Sequence, residues 1–346
     1  PLNTYSARAL QNLNILKALA EEDVNTQYLG IANVLLAYGW MMTTDTWGDL
    51  PYREAFKGLE ITTPQYDSQE FIYEQIFELL DQAQTQLAAP TAGIQPANDD
   101  LIYQGDISKW LKAAHTLEAR AHLHLGKRDA NRYQLALEAL TNGLENASDD
   151  MLLPFGINGV NEAPWFQFNS VRVGDVLFHP VMGEFFEALN DPRLELLEQE
   201  FTRDHPILTA TRKFPFINMS ERKFIESECL LRTGGDPAAI HNAYIEGIQA
   251  NFEFYGLELT EEYLSQNAVD PGVGNIGLEE IILQKYLALW TAPEVFSDWR
   301  RTGLPVLIPN SGNEIPRRFL YAEKEFEGNQ NTPELSQFDR VWWDIE

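Results

Sequence analysis

Apolar residues along this chain recur at the three- and four-residue spacing of helices. Over Ile107–Leu125, Trp110, Ala114, Leu117, Ala121 and Leu125 form one apolar stripe, which predicts an amphipathic helix. Gly126 follows as the expected left-handed stop. A second periodic stretch, residues 131–146, carries Tyr133, Leu137 and Leu140 on one side. The short link between the two predicts antiparallel packing. Residues 221–232 repeat the device with Phe224, Ile225, Cys229 and Leu231. There Gly234 and Gly235 end the helix, Asp236 is placed to cap the next one, and Pro237 suits its first turn. That next helix bears Ile240, Tyr244, Ile248, Phe252 and Tyr255 on one stripe. Helix pairs of roughly 34 residues have the size of a tetratricopeptide unit.

Further helices are predicted over residues 5–19, 22–42, 68–88, 181–189 and 278–289. Loops with Pro, Gly and Asn separate them, at 48–66, 89–105, 151–176, 203–218 and 303–317. Strand signals are confined to 171–173 and 306–308. The expected fold class is all-α, or mostly α: a helical bundle with tetratricopeptide-like helix pairs and long irregular loops. We expect a single domain over 1–346, with a loop-rich ligand region at about 148–218.

Composition narrows the function. Of 346 residues, 52 are acidic and 25 basic, a net charge of −27. That argues against a nucleic-acid partner, because phosphate binding needs clustered Lys and Arg, and against docking on anionic lipid; no nucleic-acid partner is expected. A neutral or cationic partner fits the sign. Eight Trp, thirteen Tyr and nineteen Phe are too many for a disordered chain. No apolar run reaches the roughly 20 residues of a membrane-spanning helix. One cysteine, Cys229, allows no intrachain disulfide.

Catalytic patterns are missing. There is no Gly-x-Ser-x-Gly, and Cys229 lies between Glu226, Glu228 and Leu230, a setting that opposes thiolate formation and reads as core packing. His115, His122 and His124 share one helix without the zincin spacing, so they read as solvent-facing or hydrogen-bonded side chains. Acidic patches lack the EF-hand spacing. Gly272–Val273–Gly274–Asn275–Ile276–Gly277 has the letters of a dinucleotide loop but follows no strand, so it reads as a plain loop. Neither a cofactor nor a metal is implied. With so many acids, carboxylate pairs at glycosidase spacing arise by chance, and none can be named.

Aromatic density in loops stands out instead. Trp47 sits in Thr-Asp-Thr-Trp-Gly-Asp-Leu-Pro-Tyr, and Trp165, Phe166 and Phe168 sit in Ala-Pro-Trp-Phe-Gln-Phe-Asn. Aromatic faces stack on the C–H face of a sugar ring. Polar neighbours Asn169 and Arg172 could then fix hydroxyls. The competing reading is that these rings pin long loops onto the core. For the Trp165 cluster an extended segment is expected, from which three rings in four positions cannot all point inward.

Four passages resemble the SusD/RagB family of outer-membrane nutrient-binding lipoproteins, the SusD-like branch above all. They are Tyr38–Gly39–Trp40 through Trp47–Gly48–Asp49–Leu50–Pro51–Tyr52; Trp110 through Ala114 with Leu117, Ala119–Arg120–Ala121 and Leu123; Leu189–Asn190–Asp191–Pro192–Arg193–Leu194; and Glu226–Ser227–Glu228 and Gly234–Gly235 with Gln284–Lys285–Tyr286, Trp299–Arg300–Arg301–Thr302–Gly303 and Pro305. The resemblance implies a non-enzymatic protein on the cell surface, held in the outer membrane by a lipid anchor. Such a protein captures a glycan or peptide nutrient for a SusC-like, TonB-dependent outer-membrane transporter. The anchor cysteine and the stretch ahead of the first matched passage are expected to precede Pro1. The matched residues themselves have structural readings: Arg300 and Arg301 beside Asp298 as ion-pair or helix-end contacts, Asp191–Pro192 as a helix stop.

The residues and the resemblance together give the expectation of oligosaccharide capture, with Trp165, Phe166 and Phe168 as stacking rings and Asn169, Arg172 and Trp47 as further contacts. Two alternatives stay open: a helical-toroid glycoside hydrolase, and a tetratricopeptide scaffold that binds peptides.

Overall fold

The computed structural model describes residues 7–90, 93–175, 177–201 and 204–346. The expected helix start at Tyr5 lies outside them, as do the loop-end residues Val176 and Arg203 and part of the 89–105 loop. In chain order the larger elements are α1 (Ala7–Glu22), α2 (Thr26–Trp47), α3 (Gln69–Ala88), α4 (Ile107–Leu125), α5 (Asn131–Leu140), β1 (Met151–Leu153), α6 (Pro164–Val171), α7 (Pro180–Ala188), α8 (Leu194–Leu197), β2 (Phe214–Ile217), α9 (Met219–Thr233), α10 (Pro237–Phe254), α11 (Glu261–Leu264), α12 (Leu278–Ala288), α13 (Glu294–Thr302) and α14 (Glu323–Gly328). The mostly-α expectation is met.

The chain forms two compact units. The first takes the residues up to Asp99, then Gln104–Gly143 and Phe296–Glu346. Within it α1 to α5 pack each on the next. Asp106 caps α4, its Oδ1 accepting from the Ser108 and Lys109 N–H groups at 3.1 and 3.3 Å. The predicted stripe is the buried face: Trp110, Ala114, Leu117, Ala121 and Leu125 all lie in the core. Gly126 is not left-handed, a correction to the expected stop; its φ is −59°. It is needed for room, since a Cβ there would stand 2.3 Å from Cε1 of Tyr133 on α5. The C-terminal segment closes this unit. Trp343 is buried, and its Nε1 donates to Asp45 Oδ1 at 2.7 Å.

The second unit takes Asp100–Tyr103 and Leu144–Val295. Its centre is the pair α9 and α10, with α12 packed on both and α7 on α12. Gly234 is the left-handed stop of α9, at φ 72°. Asp236 caps α10, accepting from Ala239 N–H at 3.2 Å, with Pro237 in the first turn. Cys229 is buried in α9, as its core-packing reading required.

Strands differ from expectation. Residue 171 ends a helix, and 306–308 form no strand. The antiparallel pair is β1 with β2, Met151 opposite Ile217. Each segment is only three or four residues long, too short for a periodic signal, and the pair is formed by partners more than 60 positions apart.

Candidate functional site

The Trp165 segment is a helix, which corrects the extended reading. Ala163 N–H donates to Ala210 O at 2.7 Å and fixes the entry, and Pro164 starts the first turn. Arg172 N–H returns to Phe168 O at 2.8 Å, and Gly174 at φ 83° turns the chain away. Helical period, not strand alternation, therefore sorts the side chains. Phe166 and Asn169, three apart, face inward at 7% and 1% exposure. Trp165 and Phe168, also three apart, face out at 36% and 41%. Val171 extends this outer stripe by another turn and is exposed.

The six residues expected to bind thus divide. Trp165 and Phe168 are brought together on one exposed face. Arg172 joins them: its guanidinium lies 5.9 Å from the Phe168 ring centroid and pairs with Asp175. Phe166 and Asn169 are corrected from contact residues to supports behind that face, because helical geometry turns them inward. The Asn169 Nδ2 is buried with no hydrogen-bond partner among the described residues. Gln167 Nε2 donates to Glu162 O at 2.6 Å, and Ser170 Oγ to Phe166 O at 2.7 Å, so both brace the backbone. Exposed Ile157, Val160, Val173 and Leu177 flank the helix in sequence.

Trp47, in the first unit, is the last residue of α2 and not a loop residue. Its Nε1 donates to Leu320 O at 3.2 Å and its ring lies 5.8 Å from that of Phe319. These contacts fit the pinning role.

The other candidates are absorbed by packing. His122 stacks on Phe77 at 4.5 Å, and His124 Nδ1 lies 3.2 Å from Asp45 Oδ2. Burial would raise Glu118, but hydrogen bonds from His115, His122 and Gln84 overrule it and hold the carboxyl well below its ordinary range. No group of three or more His, Cys, Asp or Glu placed to hold a metal occurs among the described residues. The glycine-rich turn leads into α12, where Gly277 N–H donates to Glu280 Oε2 at 2.9 Å.

Comparison with known proteins now bears on this geometry. A SusD-like family described as "Starch-binding associating with outer membrane" matches residues 2–206 and 198–322. The chain belongs to this SusD-like family. Curated proteins yield no match. Among solved structures, a chitin-binding protein is 25% identical over 97% of this chain and 85% of its own, with a TM-score of 0.79. A chitin-binding SusD homolog from Flavobacterium johnsoniae is 22% identical over 97% and 85%, TM-score 0.80. A SusD homolog from Bacteroides uniformis is 21% identical over 98% and 85%, TM-score 0.81. Among the described residues no helix is long and apolar enough to cross a membrane.

The passages that carried the SusD-like resemblance hold the fold. Arg193 is fully buried and meets Asp191 through Nη2 at 2.6 Å and Nε at 2.9 Å. Its other donors reach Asn251 Oδ1 at 2.7 Å and Gln284 Oε1 at 3.0 Å. Tyr263 Oη donates to Asp191 Oδ2 at 2.6 Å. Burial opposes the Arg193 charge, but Asp191 outweighs it and keeps the guanidinium protonated. In the first unit Arg300 lies between the rings of Phe296 and Trp343, at 4.0 and 4.6 Å. Burial lowers it to about 10, against the pull of Asp45 and Asp344, so it stays charged at neutral pH. Arg301 pairs with Asp298 at 2.6 Å.

Sequence reasoning missed a cleft of about 360 Å³ in the first unit, walled by Trp40, Tyr52 and Phe56. In the sequence Trp40 and Tyr52 stand only as members of the passage that resembles the family. Their rings meet at 4.6 Å.

Proposed function

We propose that this SusD-like protein captures an oligosaccharide at the cell surface without transforming it, and delivers it to a SusC-like, TonB-dependent transporter in the outer membrane. The observation that carries the reading is the α6 stripe: two exposed aromatic residues, Trp165 and Phe168, three apart on a helix whose Phe166 is buried. A pyranose laid across Trp165 and Phe168 would cover their apolar faces, and the Arg172 guanidinium at the edge offers N–H donors to hydroxyls. Stacking contributes roughly 1 kcal/mol per ring, so affinity is modest and the cargo can be released onward. Chitin binding by two structural relatives supports a glycan cargo over a peptide.

Electrophoresis through gels containing neutral polysaccharides, paired with an assay for new reducing ends, tests this reading. Retardation without release of ends is the expected result. Release of ends would place the protein among glycoside hydrolases, and retention of peptides alone would move the cargo to the tetratricopeptide-type alternative.

A further inference from the structure

The cleft beside Trp40 differs from the rest of this acidic molecule. The chain carries 52 acidic residues against 25 basic. Yet Lys17, Arg53 and Lys57 line the cleft, and no Asp or Glu is among the described residues that do. Lys17 comes from α1 and is half-buried; Lys57 comes from the loop after α2 and is exposed. Neither ammonium has an ion-pair partner among the described residues. Arg53 is different. Its guanidinium pairs with Asp67, which also accepts the Tyr52 and Arg53 N–H groups at 3.0 and 2.9 Å, and it lies 4.8 Å from the Phe71 ring centroid. Arg53 and Asp67 thus fix the wall while the two lysines remain available. Glu78, a further carboxylate whose charge acts on Tyr52, accepts from Gln75 and Gln82 and does not line the cleft.

The aromatic wall is built, not incidental. Trp40 is buried at its base, Tyr52 meets it at 4.6 Å and Phe56 at 6.2 Å. Phe56 holds φ 62°, a left-handed backbone that a bulky side chain adopts at a cost. Strain of this kind gathers where a loop has to present a side chain in one place. A volume of about 360 Å³ falls in the range of small-molecule sites. The Asn14 side chain, on the rim, is tied to Leu10 O at 2.9 Å through Nδ2, which leaves Oδ1 to accept.

From this lining we propose a second binding site in the first unit, apart from the α6 residues, for an acidic sugar: one ring stacked on the half-buried Tyr52 and Phe56, which Trp40 backs, with its carboxylate between Lys17 and Lys57. The choice of a sugar rests on the glycan-capture reading; the selection for an anion rests on the lining alone. A compact carboxylate suits lysine point charges, and ammonium–carboxylate attraction at a half-open site weakens with salt.

The test is titration of the full chain with D-glucuronate and, separately, D-glucose, followed by saturation-transfer NMR and calorimetry. Glucuronate is expected to bind at least fivefold more tightly than glucose in 20 mM salt, and to lose most of that margin in 300 mM salt. Lys17→Gln with Lys57→Gln should remove the margin, Lys57→Gln alone should reduce it, and Trp165→Ala should leave it intact. Equal binding of the two sugars, or a margin indifferent to both lysines, would overturn the site. The outcomes separate from those of the main reading. Neutral-polysaccharide retention lost with Trp165 but no glucuronate preference sinks this site alone. Lysine-dependent glucuronate binding without any polysaccharide retention sustains this site and sinks oligosaccharide capture.

Discussion

Two aromatic clusters of the second unit put rings to opposite uses. Around Arg193, the rings of Phe186 and Phe252 lie 5.6 and 4.9 Å from the guanidinium and, with Tyr263, shut an ion pair away from water. Around α6, Trp165 and Phe168 meet water directly. In the first cluster every donor of Arg193 named above has a partner, so the arrangement is rigid and has nothing left to offer a ligand. In the second, both rings are partly open to water, and the Arg172 guanidinium beside Phe168 pairs with the exposed Asp175. The family resemblance was legible at the first kind of cluster, and the proposed binding lies at the second. A passage that identifies a fold need not be one that touches cargo.

Breaking the Arg193 network should have the largest effect. Arg193→Ala leaves Asp191 buried without its cation, and the loss of stability is expected at about 3–5 kcal/mol by chemical denaturation. A loss under ~1 kcal/mol would mean that the network does not hold the unit together. Phe166→Ala tests the division within α6 itself. It empties a core position, so about 3 kcal/mol of stability should go, while any folded protein keeps its glycan affinity within about twofold.

Asp150 sharpens the comparison from another side, as a carboxylate that burial reaches without a cation. Burial and then the neighbouring Asp149 raise it to about 7, against the Met219 N–H that it accepts at 2.7 Å. Its folded value lies above its unfolded one. The stability it contributes is therefore full below about pH 4 and is lost as pH rises through about 7. Asp150→Asn keeps an acceptor for Met219 and cannot ionise. Relative to wild type it should gain about 2 kcal/mol between pH 4 and 8, read from denaturation midpoints at each pH. Parallel pH profiles for the two proteins would contradict the shift. The smallest effect is expected at Phe168→Ala, about 1 kcal/mol in glycan affinity by calorimetry, or roughly fivefold, with stability nearly unchanged.

Legibility followed sequence separation. The α4 stripe and the Asp236–Pro237 cap are local, and both stand where periodicity and capping put them. The β1–β2 pair depends on distant partners and left no local mark. At Gly126 the residue was noticed but its reason was not, because the approach of Tyr133 comes from another helix. At α6 the cluster of rings was visible in the sequence, yet the segment read as extended, and neither Pro164 as a first helical turn nor the three-residue spacing of Trp165 with Phe168 and of Phe166 with Asn169 entered that reading. That spacing decides which rings reach water. The Trp40 cleft was hidden for the same reason as β1–β2: its wall and its lysines come from α1, α2 and the loop beyond.

The central claim is that exposed rings on α6 grip a glycan. Its most direct test is calorimetry of wild type and Trp165→Ala against one neutral oligosaccharide that wild type binds. The account predicts about a tenfold loss of affinity, near 1.4 kcal/mol, with thermal unfolding unchanged. Undiminished affinity in a fully folded Trp165→Ala protein would contradict it.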